Sequence, residues 1–230
     1  YYIGQVINYL KTTDDPRWKG HKLIENSYII FTSDNGGMEG HPGEIYTDNY
    51  PLDKGKINAK EGGTRVPLII TGPGINPEQE SDVMINGIDF FPTILSWTGT
   101  EYSDKQELDG VDLSTLLRTN PDDENLLIDK TGKVRNSMIH HFPHSSMQST
   151  IRVGDYKFIH NYDPFKADEL YRLYENGKKR VDIEEMEDLS DKFPEKAKEM
   201  SEILIDTLNS MQASFPFLNP YSRKEIPNEK

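Results

Sequence analysis

The sequence predicts an α/β protein: a mostly parallel sheet with flanking helices, followed by a small antiparallel sheet carrying one helix. Three observations support this. Tyr28-Ile29-Ile30-Phe31 and Val66 to Thr71 are continuous apolar runs, the pattern of strands buried on both faces. Helical spacing precedes the first run and follows the second, the order of an α/β domain. Beyond residue 135 the pattern changes to short strands and then one amphipathic helix.

In chain order, Ile3, Val6, Ile7 and Leu10 fall on one helical face, with no capping residue ahead of them. The chain opens without Met or a targeting segment and reads as part of a longer protein. Asn26 to Ser33 is the first strand, and a long loop rich in Gly, Asp and Asn runs from Asp34 to Gly63. Val66 to Thr71 is the second strand, closed by Gly72-Pro73-Gly74. Ile88 to Trp97 is a helix with Pro92 near its first turn and Gly99 as its stop. These elements make residues 1–118 one α/β portion, with 119–135 as a polar linker. Residues 136–213 form the second portion: strands at 137–141, 149–153 and 156–160, a further strand near 169–174, and a helix from Pro194 to Met211. Gly154-Asp155 is a tight-hairpin dipeptide. Residues 214–230 are a polar tail.

The chain has 230 residues and a formal net charge of −13. That balance argues against a nucleic-acid partner, which needs clustered Lys and Arg. No apolar stretch approaches the ~20 residues of a membrane span. With no cysteine there is no disulfide, thiolate metal site or cysteine nucleophile in these residues.

The chemistry concentrates between residues 33 and 65. Ser33-Asp34-Asn35-Gly36-Gly37 follows directly on a strand, at the carboxyl edge where α/β sheets bind ligands. A carboxylate beside a carboxamide offers the oxygen donors that Ca²⁺ or Mg²⁺ takes. Asp-Asn-Gly is equally a common turn sequence, so this motif alone leaves both readings open. Gly55-Lys56 opens a second stretch that ends Glu61-Gly62-Gly63-Thr64-Arg65-Val66-Pro67. A lysine in a glycine-containing loop can place a point charge on an anion. The bland reading is a solvated basic loop. Glu61 and Arg65, four apart, have the spacing to brace it, while Lys60, directly before Glu61, reads as pointing away. In His140-His141-Phe142-Pro143-His144, strand alternation sends the first two histidines to opposite faces, which counts against a zinc site.

Taken together, Phe31 to Gly37 and Gly55-Lys56 through Pro67 resemble the type I, formylglycine-dependent sulfatases of the alkaline-phosphatase superfamily, bacterial polysaccharide and aryl sulfatases among them. Ile88 to Leu95, Leu108 to Leu113, Ile151 to Lys157 and Glu169-Leu170-Tyr171 extend the likeness to about residue 211. It corresponds to the C-terminal part of a full sulfatase, so the resemblance implies the C-terminal part of an alkaline-phosphatase-like sheet. Asp34 and Asn35 would be ligands of a divalent cation, Ca²⁺ ahead of Mg²⁺. Lys56 would contact the sulfate and act at the leaving-group oxygen. Glu61, Gly62, Gly63 and Arg65 would be scaffold. Similar His-Pro-His loops in polysaccharide sulfatases suggest that His141 and His144 touch a sugar or its sulfate.

The resemblance further implies a sulfated carbohydrate or small sulfate ester as substrate, and a secreted or periplasmic protein. The family's formylglycine arises from Cys or Ser in Cys/Ser-x-Pro-x-Arg. Ser214-Phe215-Pro216-Phe217-Leu218 lacks that arginine, so the nucleophile belongs to an absent N-terminal part, and these residues alone would be inactive. The alternatives are a phosphonate or phosphate ester hydrolase of the same superfamily, or a non-catalytic binding module. Only His41 lies near Asp34, whereas the phospho-hydrolases carry more histidines there, so the sulfatase reading is favoured.

Overall fold

The computed structural model describes residues 1–103, 106–120, 122–129 and 131–216; most of the expected polar tail, 217–230, lies outside them. Two compact units divide the chain: Tyr1–Asn35 with Arg65–Asn136, and Gly36–Thr64 with Ser137–Lys230.

In the first unit the opening helix is α1, Tyr2–Thr12. None of its residues is buried, and Ile3, Val6 and Tyr9 are exposed. The two apolar runs become β1, Ile29–Thr32, and β2, Leu68–Thr71. They pair with each other, and the pairing is antiparallel, Ile29 opposite Thr71 and Thr32 opposite Leu68. The parallel orientation expected for these strands does not hold. A continuous apolar run reports burial rather than direction, and here burial is only partial, with Phe31 42% and Ile69 61% exposed. The Tyr28 ring stacks on Trp97 at 4.2 Å between centroids, joining the start of β1 to the following helix.

That helix is α3, Phe90–Thr98, and Gly99 stops it in the left-handed region (φ 62°), where the Thr100 amide reaches back to the Leu95 carbonyl at 2.9 Å. Asp89 precedes it, fully buried. Its carboxylate accepts from the Asn86 amide (2.8 Å), the Val111 amide (2.9 Å) and the Arg135 guanidinium (2.6 Å). A buried carboxylate without such partners would be strongly destabilising. Gly110 allows this approach, because a Cβ there would sit 2.1 Å from the Ile88 carbonyl oxygen. A short helix that periodicity did not signal, α4 (Ser114–Arg118), packs Leu116 with Val111, Leu113 and Leu127. The stretch read as a linker is therefore anchored: Leu127 is buried and Ile128 bridges to Val134.

In the second unit, β3 (Ser137–Phe142), β4 (Gln148–Val153), β5 (Tyr156–Asn161) and β6 (Glu169–Arg172) form one antiparallel sheet in chain order. Gly154 turns β4 into β5 with φ 54°, at the first central position, where a type II′ turn takes glycine. β7 (Tyr174–Glu175) and β8 (Lys179–Arg180) make a short ribbon after it. Alternation gives the main sheet two covered faces. Ile151, Phe158 and Leu170 pack on α5, Pro194–Ser210, through Met200, Leu204 and Leu208. The start of the expected tail joins this core, since Ala213 and Phe215 pack against it. The opposite face carries Lys157, Ile159 and Tyr171; Ile159 and Tyr171 pack with Ala59 of the Gly36–Thr64 segment.

Candidate functional site

Asp34 and Asn35 follow β1 by one residue, in the first unit. The Asp34 side chain is exposed, and its Oδ1 accepts from Asn35 Nδ2 at 3.0 Å. Ser33 Oγ donates to the Asn35 carbonyl at 2.9 Å, which holds the turn. The donor set is oxygen-rich and suits a hard cation such as Ca²⁺ or Mg²⁺, but it supplies fewer ligands than either ion takes. Among the described residues no group of three or more His, Cys, Asp or Glu side chains is placed to hold a metal.

Lys56 lies in the second unit, in a loop organised by polar contacts. The Asn49 carboxamide accepts from the Gly37 amide (3.0 Å) and donates to the carbonyls of Gly37 (3.2 Å) and Lys54 (3.0 Å). Glu39 accepts from the Asn49 amide at 2.6 Å. The Lys56 amide donates to the Gly37 carbonyl at 2.8 Å. Glycine is required where these strands of loop touch: a Cβ on Gly55 would lie 2.1 Å from the Gly37 oxygen, and one on Gly62 would lie 2.2 Å from the Lys54 oxygen. The single helical turn α2, Glu61–Thr64, closes the loop, its Gly62 amide donating to the Asp53 carbonyl at 3.0 Å.

The loop's lysines have different fates. Lys54 is exposed with Nζ 3.6 Å from Asp53. Lys60, expected to point away, is instead tied down: its Nζ donates to Asp53 Oδ2 (2.8 Å) and to the Glu185 carbonyl (3.1 Å). Asp53 is held below the usual carboxylate range, because these lysines outweigh the effect of its burial. The Lys56 ammonium is exposed and has no hydrogen-bond or ion-pair partner among the described residues.

Glu61 is buried and takes the Lys157 ammonium at 2.8 Å. Glu185 lies on the same ammonium at 2.9 Å, and its other carboxylate oxygen accepts the Glu61 amide. Burial pushes the Glu185 carboxyl up against the pull of Lys157. His140 is held neutral-leaning by burial first and by the Lys157 charge second. Sequence reading passed over Lys157, Glu185 and Asn49. The available signal was Lys157 itself, on a strand whose next same-face residue is Ile159.

The histidines differ as well. His141 is engaged at both ring nitrogens, Nδ1 with Ser149 Oγ (2.6 Å) and Nε2 with the Ser214 carbonyl (2.9 Å). Ser149 Oγ continues to Tyr162 Oη at 2.9 Å. His144 is exposed, its ring edge-on to Phe142 at 4.4 Å.

A family model described as Sulfatase matches residues 1–100, and one described as N-sulphoglucosamine sulphohydrolase, C-terminal, matches residues 53–213. The chain belongs to the sulfatase family. A sulfatase of Formosa agariphila is 35% identical to this sulfatase-family chain over 191 residues, covering 75% of the chain and 31% of that protein. The human N-acetylglucosamine-6-sulfatase is 39% identical over 95 residues, covering 41% of the chain and 16% of that protein. The chain thus spans less than a third of these relatives. Its fold matches the solved structure of BT4656 in complex with its substrate D-glucosamine-2-N,6-O-disulfate, with a TM-score of 0.61 and 23% identity over 99% of the chain and 40% of that one. The alkaline-phosphatase-like α/β class read from the sequence is borne out.

Proposed function

We propose that these residues form part of the active site of an enzyme that hydrolyses sulfate esters, of a sulfated glycan or a smaller ester. The observation that carries the reading is Lys56: its backbone is pinned to Gly37, its neighbours Lys54 and Lys60 are on Asp53, and its own ammonium is unspent. A cation held in that way is fit to meet an anion. A sulfate ester carries one negative charge, and on cleavage charge moves to the leaving oxygen. An ammonium at that oxygen gains attraction as the charge grows, so it lowers the barrier rather than only aiding binding.

In this reading Asp34 and Asn35 are two oxygen ligands of a divalent cation, Ca²⁺ ahead of Mg²⁺. Such an ion, when bound, supplies electrostatic stabilisation of negative oxygens. The remaining ligands and the formylglycine nucleophile are assigned to a part of the protein outside these residues. His144 has an exposed ring suited to a sugar contact; His141 contributes by the same route only through a nitrogen released from Ser149 or Ser214. The chain's 1–118 portion belongs to the catalytic domain and 136–213 to a C-terminal subdomain, joined by 119–135. A secreted or periplasmic location goes with a sulfated glycan as substrate. No helix among the described residues is long and apolar enough to cross a membrane.

The test is asymmetric. In the complete enzyme, Lys56→Ala should lower kcat on 4-nitrophenyl sulfate or a sulfated glucosamine by about 10²–10³, the usual cost of removing one such donor. Lys54→Ala should leave kcat nearly unchanged. Equal, small effects of both would overturn the assignment.

A further inference from the structure

The geometry points to Lys157, 101 positions after Lys56 by residue number, as a positioning residue for the Lys56 loop, acting through Glu61 and Glu185. The proposal rests on the sulfate-contacting role given to Lys56 above.

Lys157 is 2% exposed on the β5 face turned to the Gly36–Thr64 segment, and both of its partners are buried carboxylates. A lysine is rarely placed there for stability, because desolvating it offsets most of what its ion pairs contribute. An apolar residue would fill the same position on a sheet face that also carries Ile159 and Tyr171. What the charge supplies is a fixed location for Glu61. Glu61 begins α2, and the Gly62 amide that follows is bonded to the Asp53 carbonyl, so fixing Glu61 closes the loop around Lys56.

Glu185 holds the same loop at further points. Its carboxylate accepts the Glu61 amide, and its carbonyl accepts Lys60 Nζ at 3.1 Å. It does so from a left-handed backbone (φ 53°) unusual for a non-glycine residue, so the surrounding contacts impose its conformation. The loop is thus clipped on one side by Asn49 and on the other by a buried ammonium shared between carboxylates. Lys56 lies between the clips in sequence and makes no hydrogen bond or ion pair with Asn49, Glu61, Glu185 or Lys157. In this proposal Lys157 acts on the loop rather than on the substrate, and sets where the backbone that carries Lys56 stands.

A double-mutant cycle in the complete enzyme separates positioning from plain stability, with kcat and KM measured on 4-nitrophenyl sulfate. Lys157→Met should lower kcat by roughly 10–10²-fold, the scale of a misplaced reacting group, with a smaller change in KM. In a Lys56→Ala background the same substitution should cost almost nothing further, because the group it positions is gone. Lys157→Arg should restore part of the loss by returning a cation to both carboxylates. Glu185→Gln, which keeps an acceptor for the Glu61 amide, is carried through the same cycle, so the positioning role stays testable even where Lys157→Met does not fold. An equal loss in both backgrounds, or no loss in either, overturns the positioning role. If Lys56→Ala itself leaves kcat unchanged, it is the reading of Lys56 that fails.

Discussion

Asp34 Oδ1 is occupied by Asn35 Nδ2 at 3.0 Å, while Oδ2 makes no hydrogen bond among the described residues. An exposed carboxylate gains little by standing so close to a carboxamide on its own chain. If a cation draws oxygens from both side chains, as proposed above, the carboxylate, as the charged member, dominates affinity. Asp34→Ala in the complete protein should weaken Ca²⁺ binding at least about tenfold, since groups one step removed from a metal already cost that much. Isothermal calorimetry reads this directly, and unchanged affinity would remove Asp34 from the ligand set. The same scale explains why residue types alone left the motif open. Asp-Asn-Gly serves a turn as readily as a ligand, and the turn is indeed present, held by Ser33 Oγ. The ligand reading of Asp34 and Asn35 therefore stands on the resemblance to the sulfatases and on the calorimetric test, not on the motif.

At the scale of elements, the Gly36–Thr64 segment has few apolar anchors and depends on side-chain hydrogen bonds for its order. Asn49 is the centre of these: one carboxamide satisfies groups on Gly37 and Lys54, on the two arms of the loop. Asn49→Ala removes those bonds together and leaves the Gly37 amide without its acceptor. Hydrogen exchange at Gly37 and Lys56 should then quicken by an order of magnitude or more, at roughly 1 kcal/mol per lost bond. The amides of β5 should be unaffected. Equal protection at Lys56 in both proteins would mean that the backbone alone holds the loop.

This segment also marks where sequence reading stopped. The α5 helix and the β3 to β6 strands were legible because their apolar positions repeat at helical or strand spacing, as Met200, Leu204 and Leu208 do. α4 was not, since five residues hold too little of a period. The direction of β1 against β2 was not, since an apolar run is the same read either way. The loop's order lies in pairs far apart in sequence, Lys157 with Glu61 and Glu61 with Glu185, which no local pattern carries. Lys56, by contrast, stands out through the resemblance of the Gly55-Lys56 to Pro67 stretch to the sulfatases, not through any contact.

For the molecule as a whole, a net charge of −13 makes carboxylates the groups that govern its response to pH. Several are held below their ordinary range. Asp15 is lowered chiefly by hydrogen bonds from the Arg17 side chain and amide, and it also accepts from Asn26 Nδ2 at 3.4 Å. Asp129 is lowered by the Thr131 hydroxyl and the Lys133 amide, and Glu175 by Lys179. A carboxylate lowered on folding binds fewer protons in the native state than in the unfolded one. Its contribution is therefore complete above the unfolded value, near 4, and is lost as pH falls through the folded value. Glu185 runs the other way: burial raises it, so the native state holds its proton more tightly and stability grows as pH falls through the raised value. The complete protein should accordingly keep its denaturant midpoint at or above its pH 7 value down to about pH 5 and show a lower one below about 4, where the lowered carboxylates outnumber Glu185. Two substitutions resolve the signs. Asp15→Asn should lower the midpoint at pH 7 by an amount that shrinks as pH falls below about 4. Glu185→Gln, compared with the parent, should fall behind it as pH drops through the raised value toward the ordinary carboxylate range. Urea titrations of the three proteins from pH 7 down to about 2.5 provide the check, and an Asp15→Asn deficit that is the same at pH 2.5 as at pH 7 would show that the aspartate acts through shape and not through its charge.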